Sequence, residues 1–470
     1  MAKEVDPSGA VEGLEGWRRR MVAAGWTLTE EQWKAVQSPH RRIAVYAGPG
    51  TGKTTVLAAR ALFLIQVLGM RPADLLVTTF TREAAAELKE RLRPWLPSRS
   101  LIEMEMGTLH SRMLRWWVRE SGQVPRLLTP EEQRRLVEKA ARRCGISGEE
   151  AAAALAVAKS RRPGRDQVPT RLREIYEGEL RRYGAWDFDD ILIQVHELLF
   201  EQGRIPPWKA VLVDEAQDLN EIQSILVEGL ARDGLLFMIG DDDQSIYGFR
   251  GAVPAYFQGH LRRPDTAVFY LSVNHRSHQG LVEPCNRLIV NNGDARGKSI
   301  RALRQGPGPE VRLFPDEWEQ DRWLNRVLAR EAFQGTAAVL ARTHQQLQRA
   351  LSRGAEGHRY GAIWLTFHGS KGREFDRVYI LDAVEGSAPH YAGAPGKKRD
   401  QELEASVVEE ERRLFYVAMT RARERLVILV PERIEGRVTR MSRFLAEAGL
   451  DEQKLPGGRW RGLRKILRRE

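Results

Sequence analysis

Two short stretches hold the residue types that phosphate chemistry needs. In "IAVYAGPGTGKTTVL", Gly48, Gly50 and Gly52 lie between an apolar run and the start of a helix-forming one. Glycines let backbone N–H groups wrap around phosphate oxygens, and the following helix N-terminus adds partial positive charge. Ala47, Gly48, Pro49, Gly50, Thr51, Gly52, Lys53, Thr54 and Thr55 form this candidate phosphate loop. Lys53 would reach the β- and γ-phosphates, and the Thr54 hydroxyl would ligate Mg²⁺. The pattern opens with Ala47 where glycine is usual, and a small residue fits there. In "AVLVDEAQD" an apolar strand ends in Asp214, a second Mg²⁺ ligand, followed by Glu215, which can orient and deprotonate an attacking water. Acidic pairs after apolar runs are common; joined to the glycine loop, this one implies hydrolysis of ATP with Mg²⁺.

A third stretch, "GDDDQSIYGFRGA" (240–252), carries two chemistries. Three aspartates and Gln244 suit phosphate and metal; Tyr247, Phe249 and Arg250 suit a flat, charged ligand.

The elements that must hold these residues are apolar, β-branched runs alternating with helical stretches, the pattern of parallel α/β architecture. The strand candidates are "IAVYA" (43–47), "LLVTTF" (75–80), "AVLVD" (210–214), "LLFMIG" (235–240), "AVFYL" (267–271), "AAVLA" (337–341), "RVYIL" (377–381) and "LVILV" (426–430). Residues 112–184 read as a helical insertion. There Thr129, Pro130 and Glu132 begin one helix with a capping box, and Ser147 and Glu150 begin another. "SRRPGRDQVP" (160–169) reads as an exposed basic loop. The basic tail 446–470 fits either a disordered end or a helix formed on a partner.

At 470 residues the chain exceeds one compact core. Its 74 basic and 63 acidic residues give a net charge of +11, which suits a polyanionic partner. No stretch approaches the ~20 apolar residues of a membrane span, and the N-terminus lacks a signal-peptide pattern. Cys144 and Cys285 have neither CxxC spacing nor a nearby histidine cluster, which argues against a disulfide framework or zinc site and fits a reducing cytoplasm.

"DEAQD" joined to "GDDDQSIYGFRGA" resembles motifs II and III of the UvrD/Rep/PcrA branch of superfamily 1 helicases. The other motifs follow in family order: "LTEEQWKAV" (28–36) resembles the Q motif, "TTFTREAAAELKER" (78–91) motif Ia and "GTLHS" (107–111) motif Ib. "WDFDDIL" (186–192) resembles the segment where the chain re-enters the first domain. "LSVNHRS" (271–277), "LTFHGSKGREFDRVYI" (365–380) and "EEERRLFYVAMTRARERL" (409–426) resemble motifs IV, V and VI. The resemblance covers residues 28 to about 445. It implies two RecA-like P-loop NTPase domains with ATP between them and single-stranded DNA across both. The expected division is 1–111 and 185–265 for the first domain, 112–184 for the helical insertion, 266–445 for the second domain and 446–470 for the tail.

By the same resemblance Gln32 reads adenine, Glu374 contacts the nucleotide sugar, Gln244 senses the γ-phosphate, and Arg276 and Arg421 stabilise charge on the transferred phosphoryl. His275 stands where the family usually has a base-stacking tyrosine. Phe80, His110, Tyr247, Phe249, Arg250, His344 and His368 fall on the implied DNA track. The large helical subdomain inserted between motifs IV and V in UvrD, Rep and PcrA is missing from this sequence, and the hairpin after motif VI is short. Two lobes and a track suffice for 3′ to 5′ translocation, in repair, recombination or replication restart, with single-stranded or 3′-tailed DNA as partner. The isolated chain is expected to be a monomer. An alternative role is a DNA-stimulated ATPase subunit of a defence or recombination complex, with a nuclease or repair factor supplying the missing surfaces. Because Gln244 and Tyr247 share one short loop, Gln244→Ala should leave DNA affinity nearly intact while abolishing DNA-stimulated turnover; equal loss of both in binding and ATPase assays would indicate misfolding.

Overall fold

The computed structural model describes residues 7–161, 170–248, 251, 254–293, 299–330, 335–354, 361–391 and 401–450. The chain divides into two compact units, 1–47 with 52–271 and 48–51 with 272–470.

The first unit is built on six parallel strands: β1 (Arg42–Ala47), β2 (Leu75–Thr79), β3 (Glu105–Thr108), β4 (Ala210–Val213), β5 (Leu235–Gly240) and β6 (Ala267–Leu271). Their order is β3-β2-β4-β5-β1-β6. Both faces are covered, which is why the central strands are apolar without alternation. On β1, Ile43 and Val45 pack with Val56, Leu57 and Leu62 on one face, while Ala44 and Tyr46 pack with Met113, Ile222 and Leu226 on the other.

Two boundaries differ from the sequence expectation. Strand β6 pairs with β1 from Ile43↔Ala267 to Ala47↔Leu271, so "AVFYL" closes the edge of the first sheet and the units divide after Leu271 instead of residue 265. The helix Leu109–Ser121 belongs to the first core through Leu109, Met113, Trp116 and Trp117. The insertion's own core starts later, in the helices Pro130–Cys144, Gly148–Lys159 and Thr170–Tyr183, around Leu136, Leu155 and Tyr176.

Both capping boxes form. Thr129 Oγ1 accepts from Glu132 N at 3.2 Å and Glu132 Oε2 accepts from Thr129 N at 2.8 Å; the Ser147–Glu150 pair matches at 3.1 and 3.0 Å. Of the expected basic loop, residues 162–169 lie outside the described residues, as do residues 451–470 of the tail.

The second unit holds five parallel strands, β7 (Glu310–Phe314), β8 (Ala337–Ala341), β9 (Ile363–Thr366), β10 (Phe375–Ile380) and β11 (Ala422–Pro431), in the order β7-β11-β10-β8-β9. Between residues 290 and 363 the described residues build this sheet and its helices Glu317–Arg330 and His344–Ser352, with no separate helical cluster among them. After β11 a short hairpin pairs Arg433–Ile434 with Arg437–Val438 and turns through Glu435 and Gly436. Among the described residues no helix is long and apolar enough to cross a membrane.

One buried ion cluster pins the helical insertion to the first sheet's re-entry segment. Lys159 Nζ, 2% exposed, donates to Asp187 Oδ2 at 2.7 Å and Asp190 Oδ1 at 2.6 Å, and Tyr176 Oη donates to Asp187 at 2.9 Å. Burial pushes the Asp190 carboxyl up to about 6, Lys159 opposing the rise. Removing one partner strands the other charges in a dry site, so Lys159→Met should cost about 3–5 kcal/mol in denaturant unfolding. Arg135→Ala, whose exposed partner is Glu131, should cost under about 1 kcal/mol.

Candidate functional site

The candidate residues of the first unit sit at the carboxyl ends of its parallel strands. Tyr46 is in register with Gly240, and Val213 with Met238. The glycine loop after β1, Asp214 after β4 and Asp241 after β5 therefore emerge at one edge of adjacent strands, where open α/β sheets bind ligands.

Gly52 turns the loop into the helix Lys53–Gln66 at φ 82°, a left-handed conformation that suits glycine. Thr51 Oγ1 donates to Gly48 O at 2.8 Å, and Lys53 Nζ donates to Ala47 O at 3.2 Å. Thr54 and Thr55 open the same helix, half-buried. Gln32, 3% exposed, closes the capping box of the helix Glu30–Gln37 by accepting from Thr29 N at 2.8 Å. Its Nε2 comes so close to Gly52 that a Cβ there would lie 2.9 Å away.

Charge is concentrated at this edge. Burial pushes the Asp214 carboxyl up to about 7; Glu215 adds to the rise and Lys53 opposes it. Burial also raises Asp241, again against Lys53 and the Gln244 amide. A buried carboxylate beside a second one, with a threonine hydroxyl on the neighbouring helix, is an oxygen donor set suited to a hard divalent cation such as Mg²⁺. Glu215 itself is held at φ 49°, ψ 45°. Strain of this kind in a non-glycine residue is concentrated at functional sites. In the next loop Gln244 Nε2 donates to Asp241 Oδ2 at 2.7 Å, and Tyr46 Oη donates to Asp241 Oδ1 at 2.9 Å. Asp242 accepts from Tyr46 and, at 2.9 Å, from Gln258 Nε2.

A cleft of about 630 Å³ leads from Asp214 and Glu215 past two pairs of stacked rings. Phe80 lies on Tyr247 with centroids 4.7 Å apart and planes 20° apart. His110 lies on Phe188 at 4.6 Å and 22°. Phe188, 51% exposed, was no candidate on sequence grounds; the signal lay in an aromatic flanked by acids in "WDFDDIL". Phe249 and Arg250 lie outside the described residues.

In the second unit the candidates fall into two groups. Glu374 directly precedes β10 and Arg421 directly precedes β11, with Phe375 N donating to Arg421 O at 2.9 Å. Arg276 Nε donates to Glu374 Oε2 at 2.5 Å and its Nη1 to Thr420 O at 3.1 Å. Arg423 holds the other oxygen of Glu374. Burial alone would raise Glu374, but Arg276 and Arg423 hold it below the ordinary carboxylate range. Arg421, 2% exposed, donates Nε to Val417 O at 2.8 Å and Nη1 to Arg373 O at 3.2 Å. His275 keeps solvent access, and the loss of water on its packed side lowers its pKa. His344, exposed, and His368, half-buried, instead follow the carboxyl ends of β8 and β9. The two groups thus occupy opposite edges of the second sheet.

A glycine loop between a parallel strand and a helix, with carboxylates on the adjacent strand ends, defines a P-loop nucleotide-binding domain. Residues 28–142 and 124–263 match the UvrD/REP helicase N-terminal domain, and residues 362–433 match the UvrD-like helicase C-terminal domain. The chain is 28% identical to DNA helicase IV of Escherichia coli (strain K12) over 472 residues, 85% of this chain and 67% of that protein. It is 30% identical to DNA helicase II of the same organism over 395 residues, 76% and 53% of the two chains. To ATP-dependent DNA helicase srs2 of Schizosaccharomyces pombe it is 29% identical over 417 residues, 76% and 45%. The chain spans about half the length of the last two. It belongs to the UvrD-like DNA helicase family, and that membership implies use of ATP.

Proposed function

We propose that the protein is a DNA-stimulated ATPase that moves 3′ to 5′ along single-stranded DNA. The observation that carries this reading is the cleft in which Asp214 and Glu215 share walls with the Phe80–Tyr247 and His110–Phe188 pairs. A hydrolytic pair and a set of rings suited to stacking on bases thereby share one surface.

In this reading Lys53 and the backbone N–H groups of Gly48–Gly52 bind the phosphates, and Gln32 fixes the base. Mg²⁺, held by Thr54 and Asp214, would neutralise charge on the β- and γ-phosphates. Glu215 takes the proton of the attacking water, while Gln244 reports whether the γ-phosphate is present. Arg276 and Arg421 supply cationic charge to the transferred phosphoryl during the cycle, and Glu374 holds Arg276 in place as well as meeting the sugar. On the DNA side Phe80, Tyr247 and Phe188 stack on bases, with His110 buttressing Phe188; Phe249, Arg250, His344 and His368 extend the track. A second unit whose described residues hold no large helical insertion supports translocation as the primary activity, with duplex unwinding on 3′-tailed substrates secondary to it.

Stopped-flow translocation tests the polarity. A fluorophore at the 5′ end of single strands should report a lag that lengthens with strand length, and a 3′ fluorophore should not. A length-independent signal, or a lag confined to the 3′ label, would contradict the reading. Phe188→Ala should weaken oligonucleotide binding by about 1–3 kcal/mol in fluorescence anisotropy; unchanged affinity would remove that ring from the track.

A further inference from the structure

Gln217 lies inside "DEAQD" without any of the roles assigned above. Its side chain is 0% exposed, and its amide is used at both ends. Nε2 donates to Glu215 Oε2 at 2.6 Å, and Oε1 accepts from the backbone N–H of Asp241 at 2.9 Å. The reverse amide orientation would set oxygen against carboxylate and NH₂ against N–H, so these partners fix which way the amide points. The Gln217 backbone carbonyl also accepts from Ser245 Oγ at 3.3 Å. Close approach depends on Gly240, where a Cβ would lie 2.6 Å from Gln217 Oε1.

The contacts continue beyond Asp241. Gln244 Nε2 reaches Asp241 Oδ2 at 2.7 Å, and Tyr247, three residues further on, stacks on Phe80. At the other end Glu215 sits in a strained backbone conformation, φ 49°, and Gln217 Nε2 is tied to its carboxylate. We propose that Gln217 is a positioning residue that joins the Glu215 carboxylate to the Asp241–Tyr247 loop, so that a ligand on the ring pair is felt where water is activated. This rests on the ATPase reading above. A loop shift of about 1 Å would take either hydrogen bond out of range, which gives one amide the leverage of a switch. The competing account is that Gln217 merely satisfies buried polar groups.

Steady-state ATP turnover of the full chain, with and without a single-stranded oligonucleotide, separates the two. Wild-type protein must first be stimulated; if it is not, the ATPase reading fails and the proposal falls with it. Gln217→Glu keeps an acceptor for the Asp241 N–H but loses the donor to Glu215. It should cut stimulated kcat about tenfold or more, with KM for ATP and oligonucleotide affinity within about twofold of wild type. Gln217→Leu loses both contacts and should bring the ratio of stimulated to basal turnover close to one. A wild-type ratio in Gln217→Leu would overturn the proposal. So would parallel changes in kcat, KM, oligonucleotide affinity and melting temperature in both variants, the signature of a purely structural role.

Discussion

The arrangement depends on parallel pairing of β4, β5 and β1 in that order. Parallel strands end on the same edge, so residues far apart in sequence are delivered side by side without any long-range loop. The strand ends that carry Ala47, Asp214 and Asp241 lie side by side because three buried strands are in register. Shifting one strand by a residue would exchange the side chains that each face packs and move its carboxylate away from the others. The geometry of this edge is thus secured by the same burial that holds the sheet together.

The cost of that placement is buried charge. Asp214 and Asp241 are both raised by burial, and Lys53 opposes the rise at each. After β5 the Asp241 and Asp242 carboxylates accept from neutral donors, Tyr46, Gln244 and Gln258, and Asp241 also accepts from the backbone N–H of Asp243. Neutral donors fix the direction of these carboxylates, while Lys53 supplies positive charge that opposes the rise at Asp214 and Asp241. The helical insertion follows the opposite strategy: Lys159 lies in direct contact with two carboxylates in a closed cluster.

Much of this could be read from the chain. The strands at or near the sheet centres, "IAVYA", "AVLVD", "LLFMIG" and "AAVLA", are apolar on both faces because both faces are covered, so their runs are conspicuous. The strands without a conspicuous apolar run, β3, β7 and β9, lie at sheet edges and carry half-exposed residues such as Glu105, Glu310 and Trp364. "AVFYL" was legible as a strand, but nothing in its pattern says which sheet it completes. The glycine loop and both acidic stretches were plain because their spacing is local. Phe80 meeting Tyr247, or Gln217 reaching Asp241, was not, since those contacts exist only once separate strands align. Phe188 was hidden in the same way: its exposure and its His110 partner are properties of the fold.

If strand-end carboxylates and stacked rings form one working surface, a strand laid in the cleft must change the rate of hydrolysis. The most direct measurement is ATP turnover by the purified chain as single-stranded oligonucleotide is titrated at saturating ATP and Mg²⁺. The account predicts a saturable rise in rate, with a midpoint equal to the oligonucleotide dissociation constant measured independently. A rate indifferent to oligonucleotide, in protein shown to bind it, would contradict the account.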